Sequence, residues 1–264
     1  MSEQVEHCVK LVLKAFDKYR NPDNDTSEDE ALQLLSQLPN PATAKDEDEN
    51  KFTLLHHACW NGWYEVAKVL IERYNCDPNC KNAAGSIPLR LACWSGNLDL
   101  VKYLICDKSC DSSHKNNIGQ TPMHNACLGG HMHIVRYLIN DKHCEPACKN
   151  NKGSTPLYSA CLNGHLDVAK YLVDEKCCDP ACKNNGGWTP LHSACENGHL
   201  DVAKYLVDEK HCDPACKNID GWTPLYQSCG NGHLDVAKYI YLTKSIVIQL
   251  VRTMMVGHHC IQLI

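Results

Sequence analysis

Cysteine and histidine are the residue types here with the greatest capacity for chemistry: the chain of 264 residues holds 19 Cys and 15 His. Fifteen of the cysteines fall into three columns of constant spacing. The first is Cys59, Cys93, Cys127, Cys161, Cys195 and Cys229; the second is Cys76, Cys110, Cys144, Cys178 and Cys212; the third is Cys80, Cys148, Cys182 and Cys216, with His114 in the gap. Thiols in such numbers suggest disulfides, zinc or redox chemistry. The C-x-x-x-C spacing, with His143 or His211 beside it, offers at most three ligands per copy where a structural zinc site takes four, and the tight C-x-x-C pairing is missing. No metal and no cofactor is therefore expected. A free thiol packs as a small hydrophobe, and that is the role predicted for the columns. The vicinal pair Cys177–Cys178 could oxidise, but nothing around it in the sequence marks a lowered thiol pKa.

The histidines are equally periodic. His56, His124 and His192 form one column, and His131, His165, His199 and His233 another. A residue copied from unit to unit is a poor candidate for a unique catalytic base. No G-x-S-x-G, phosphate-cradling glycine loop or H-E-x-x-H is present, so no enzyme is expected.

The elements that carry these columns recur every 34 residues, from TLLHHAC at 53 through IPLRLAC at 87, TPMHNAC at 121, TPLYSAC at 155 and TPLHSAC at 189 to TPLYQSC at 223. In one such unit Thr189 is a good N-cap and Pro190 a good first helical residue, and Leu191, Ala194 and Cys195 make a short apolar face. Gly198 supplies a left-handed helix end. A second helix is predicted over 199–208, with Val202, Ala203, Leu206 and Val207 as its stripe. CDPACKNIDGW then forms a finger leading to the next Thr. Two helices this short cannot bury their apolar faces alone, so neighbouring units must stack. Disulfides along a column are then excluded: packed helices lie ~8–10 Å apart, and a disulfide needs Cα atoms within about 7 Å.

TPLHSACENGHLDVAKYLV resembles the ankyrin repeat in its threonine, proline, leucine, histidine and alanine opening and in its central glycine and histidine. The resemblance covers 53–240, about six units. It implies an all-α solenoid of stacked helix-turn-helix units with short β-hairpin fingers, hydrogen-bonding roles for the histidine columns, and alanine where the cysteine columns stand. The period exceeds the family's ~33 by one residue at the end of the second helix, where a glycine is usual. Asn75, Ser109, His143, Cys177 and His211 stand there instead. Of these only Asn75 takes a left-handed conformation easily, so the other helices are expected to end by another geometry.

Both ends are irregular. Val5, Cys8, Val9, Val12, Phe16 and Tyr19 share a helical face, and Ser27 to Glu30 reads as the capping box of a helix carrying Ala31, Leu32, Leu35 and Leu38. Residues 1–50 are read as an N-terminal cap with an eroded repeat, 51–240 as the repeat domain and 241–264 as an apolar tail or cap. The first 50 residues hold 12 acids and 5 bases, and the run Asp46 to Glu49 is read as solvated loop. A net charge of −5 lacks the cation excess that nucleic-acid binding demands. Charges at Glu3, Glu6, Lys10, Lys14 and Asp17 interrupt any signal-peptide core, and no stretch is long and apolar enough to span a membrane. A reducing cytoplasmic or nuclear location follows, and a monomer is expected.

Binding should use positions that differ between units while the frame stays constant. These are the end of the first helix (Trp60, Asn61, Trp94, Ser95, Leu128, Leu162, Glu196) and the finger tip (Ile118, Lys152, Trp188, Trp222). In the ankyrin pattern both sets line the concave face that holds partner proteins, and Trp is enriched among residues that carry binding energy. Trp63 replaces a frame histidine and is read as packing. Asn79, in the copy reading CDPNC, is a candidate for the asparagine hydroxylation that the resemblance implies. The function expected is a non-catalytic protein-interaction scaffold. Two alternatives stay open: a cysteine-rich metal- or redox-responsive repeat protein, and the repeat portion of a larger signalling or channel protein.

Overall fold

The computed structural model describes residues 12–17, 26–38, 41 and 51–243. Val5, Cys8, Val9 and Tyr19 of the proposed N-terminal face, the acidic run at 46–49 and the apolar tail beyond Thr243 lie outside the described residues. The chain forms two compact units that divide between Asn151 and Lys152, within a finger.

The first unit contains α1 (12–16), α2 (Glu28–Ser36), α3 (Leu54–Asn61), α4 (Tyr64–Glu72), α5 (Pro88–Ser95), α6 (Leu98–Lys102), α7 (Pro122–Leu128) and α8 (Met132–Asn140). Within it, α3 packs on α5 and α5 on α7, while each first helix also packs on the second helix that follows it. The second unit repeats the pattern with α9 (Pro156–Leu162), α10 (Leu166–Lys170), α11 (Pro190–Glu196), α12 (Leu200–Lys204), α13 (Pro224–Gly230) and α14 (234–243), α9 packing on α11 and α11 on α13. The architecture is a series of stacked helix pairs.

Local chemistry explains the helix starts. Thr53, Thr121 and Thr189 each close a capping box with the histidine three residues on, the Thr oxygen accepting from the His N–H and the ring Nδ1 accepting from the Thr N–H. Pro at the first helical position begins α5, α7, α9, α11 and α13. Gly198 ends its turn at φ 79°, as its position predicts. Ser27 forms its capping box with Glu30, and Ala31, Leu35 and Leu38 are buried with Val12 and Phe16. Trp63 offers α4 no side-chain cap. Glu28 of α2 substitutes for one, its carboxylate accepting from the Glu65 and Val66 N–H groups at 2.6 and 3.1 Å.

The end of the second helix corrects the expectation. Ser109, His143, Cys177 and His211 all adopt the left-handed conformation, at φ 54–55°, as does Asn75 at 52°. The extra residue of the 34-residue period is absorbed just before them. The last turn widens to π geometry over Tyr103–Asp107, Tyr171–Glu175 and Tyr205–Glu209. Lys108, Lys176 and Lys210 N–H groups then bond the carbonyls of Tyr103, Tyr171 and Tyr205, each at 3.2 Å. The next cysteine closes the loop: Cys76, Cys110, Cys144, Cys178 and Cys212 donate their N–H to the carbonyl six residues back, at 2.9–3.0 Å. These ring closures, not residue preference, hold the left-handed position.

The fingers are tight loops rather than regular strand pairs. The Asn82 backbone N–H donates to the Ser86 carbonyl, and the Asn82 side-chain oxygen accepts from the Ser86 N–H. Asn116, Asn184 and Asn218 organise their fingers in the same way. No strand ladder forms among the described residues.

Candidate functional site

The cysteine columns are built into the frame. Cys59, Cys93, Cys127, Cys161 and Cys195 are completely buried. Third-column thiols lie 3.6–3.8 Å from the N-cap hydroxyls of Thr53, Thr121, Thr155 and Thr189. In the second column the Cys110 and Cys144 thiols donate to carbonyls of the preceding finger. Burial pushes the Cys110, Cys195 and Cys212 thiols up to about 12 and Cys76 to about 11, with neighbouring thiols and carboxylates adding to the effect. Such thiols stay protonated and unreactive. No disulfide joins the described cysteines, and no group of three His, Cys, Asp or Glu among the described residues is placed to hold a metal ion.

The histidine columns are hydrogen-bond struts. His56 Nε2 donates to the Ser86 carbonyl at 2.9 Å and His192 Nε2 to that of Trp222 at 3.1 Å, so each first helix is tied to the finger after it. His131 and His199 donate to the carbonyls of Trp94 and Leu162 in the first helix of the preceding repeat, at 2.7 and 3.0 Å.

The variable positions divide into three groups. Trp60 and Trp94 are half-buried and stack on each other, with centroids 5.6 Å apart and planes 26° apart. In the second unit Trp188 meets Trp222 edge-on at 6.1 Å, and Trp222 lies 5.1 Å from Tyr226. Trp222 and Tyr226 are exposed. A second group faces solvent to differing degrees: Ile118 and Lys152 are exposed at finger tips, and Leu128, Leu162 and Glu196 are partly exposed. The third is committed to the frame. Asn61 donates to the Phe16 carbonyl of α1 at 3.0 Å, and Ser95 donates back to Ala92 of its own helix at 3.0 Å. Trp63 is buried against Phe16, edge to face at 5.2 Å, as its frame position predicts. The Asn79 side chain is exposed in its finger, whose backbone N–H bonds Asp77.

One exposed residue, Tyr226, was missed in the sequence. Tyr226 stands in the His192 column and is the natural third member of the Trp188–Trp222 cluster; the break in its column was the available signal. Ile219, at a finger tip, is the most open large apolar side chain described, at 75%. The buried finger asparagines were also visible as the repeated C-K-N phrase, yet attracted no role.

A family model for ankyrin repeats, described as three copies, matches residues 2–116, 89–184 and 176–250. The chain belongs to the ankyrin-repeat family, whose repeats are generally protein–protein interaction modules and whose domains are typically non-enzymatic. No curated protein matches the chain.

Proposed function

We propose that this protein is a non-catalytic scaffold that holds partner polypeptides on the face formed by first-helix ends and finger tips. The observation that supports it most is the pair of aromatic ledges, Trp60 on Trp94 and Trp188 with Trp222 and Tyr226, each displayed on a hydrogen-bonded frame. Flat aromatic area presented by rigid elements binds without a large ordering cost. Ile118 and Leu128 in the first unit, and Lys152, Leu162 and Glu196 in the second, supply further contacts. The same reading carries a monomeric chain acting in the cytoplasm or nucleus. The lack of disulfides among the described cysteines fits a reducing compartment, and no described helix is long and apolar enough to cross a membrane.

The test compares affinity purification of the wild-type chain with a Trp60→Ala, Trp94→Ala double variant, followed by quantitation of each recovered protein. A hot-spot tryptophan costs at least about 2 kcal/mol on truncation, or roughly thirtyfold in affinity. Selective loss of specific partners with unchanged helical circular dichroism is expected. Recovery of the same partners at undiminished yield rejects this surface.

A further inference from the structure

A three-member cluster recurs along the second helices. A tyrosine hydroxyl and a lysine ammonium from one repeat converge on an acidic side chain of the repeat before it. Tyr103 Oη donates to Glu72 at 3.0 Å, with Lys108 Nζ at 3.3 Å from the same oxygen. Tyr205 Oη donates to Asp174 at 2.9 Å, with Lys210 paired to that carboxylate. Tyr239 Oη donates to Asp208 at 2.7 Å. The lysines also lie over the tyrosine rings, Lys108 at 5.0 Å from the Tyr103 centroid and Lys210 at 5.5 Å from that of Tyr205. In two copies, then, the full frame holds an anion, and in a third the tyrosine does.

The fourth copy holds a thiol. Cys106 stands at the position of Glu72, Asp174 and Asp208. Tyr137 Oη and Lys142 Nζ each lie 3.2 Å from its sulfur, and Lys142 stands 5.5 Å over the Tyr137 ring. The donors are arranged as for a carboxylate, so they stabilise the deprotonated sulfur. Hydrogen bonding to Tyr137 and then to Lys142 holds the thiol below its ordinary pKa, against the opposing effects of partial burial and of Asp107. Unlike every described column cysteine except Cys229, Cys106 is exposed. It lines a cleft of about 470 Å³ together with Tyr64, Lys102 and Tyr103. Asp99, Asp107 and Lys102 give that cleft both signs of charge.

We propose that the Cys106–Tyr137–Lys142 cluster is a thiol-modification site that undergoes exchange with low-molecular-weight disulfides entering from this cleft. The Cys106 thiolate attacks one sulfur of the incoming disulfide, the S–S bond of that molecule breaks, and a new S–S bond joins Cys106 to one half. The other half leaves as a thiolate and takes a proton from solvent. Cys106 is oxidised and the departing half reduced, so no further oxidant is needed. Tyr137 and Lys142 are positioning residues that favour the thiolate form of the sulfur.

The intact protein supplies its own controls, because Cys177 and Cys229 are also exposed. The reduced full chain is exposed to a small excess of bis(2-hydroxyethyl) disulfide at neutral pH, quenched in acid at intervals, and mapped by peptide mass spectrometry. Cys106 is expected to gain the hydroxyethylthio group about tenfold faster than Cys177 or Cys229, and dithiothreitol to remove it. Tyr137→Phe and Lys142→Met are each expected to slow Cys106 several-fold while leaving the two control rates unchanged. Equal rates at the three cysteines, or a Cys106 rate that neither variant lowers, overturns the proposal.

Discussion

At the scale of single residues, one imidazole shows how protonation and folding are linked here. His192 accepts the Thr189 N–H at Nδ1 and donates from Nε2 to the Trp222 carbonyl, an arrangement that only the neutral ring satisfies. Burial is the main force holding its pKa below the ordinary value. An unfolded histidine titrates near ~6.5. The stabilising effect of the folded neutral ring is therefore complete above that pH and is lost as pH falls through the lower folded value. The urea midpoint of the wild-type chain should drop between pH 7 and pH 5. His192→Tyr, which installs the residue found in this column at Tyr158 and Tyr226, should drop less over the same interval. Parallel pH dependences for the two chains remove His192 from the account.

At the scale of elements, the most informative feature is the end of the second helix. A non-glycine residue in the left-handed region costs roughly 1–2 kcal/mol. Four repeats here accept that cost at Ser109, His143, Cys177 and His211. Ser109→Gly should remove the steric penalty without touching the Cys110 N–H bond to Leu104, and so stabilise the chain by up to about 1 kcal/mol. A thermal melt showing Ser109→Gly at or below wild type contradicts this origin of the strain. The helix starts were legible in the sequence because Thr, Pro and His act on neighbours three residues away. The helix ends were not, because the deciding bonds run to carbonyls five and six residues back, through a π turn that residue preference does not encode. The site divides along the same line. Column comparison singled out Trp60 and Trp94, whereas the engagement of Asn61 depends on α1, which lies far away in sequence. Cys106 escaped notice because its meaning depends on Tyr137 and Lys142, which only the folded stack brings to it.

At the scale of the whole molecule, the repeats within each unit bury their apolar faces against one another, so the same residue has a different energetic weight at different positions in the series. The first cysteine column measures this directly within the second unit. Cys195 of α11 is completely buried, with α9 and α13 packed on its helix, while Cys229 of α13 is exposed. Leu234, Tyr241 and Leu242 of the same repeat, the last one described, are exposed as well, at 58–65%. Exchanging sulfur for oxygen at Cys195 places a hydroxyl in the packed interior and should cost about 1–3 kcal/mol. The identical exchange at Cys229 should stay within about 0.5 kcal/mol of wild type. Urea unfolding of Cys195→Ser and Cys229→Ser under reducing conditions reads the difference as a shift in midpoint. Equal shifts would show that the column is not graded by its neighbours, and the nearest-neighbour description of this stack would then fail at its simplest point.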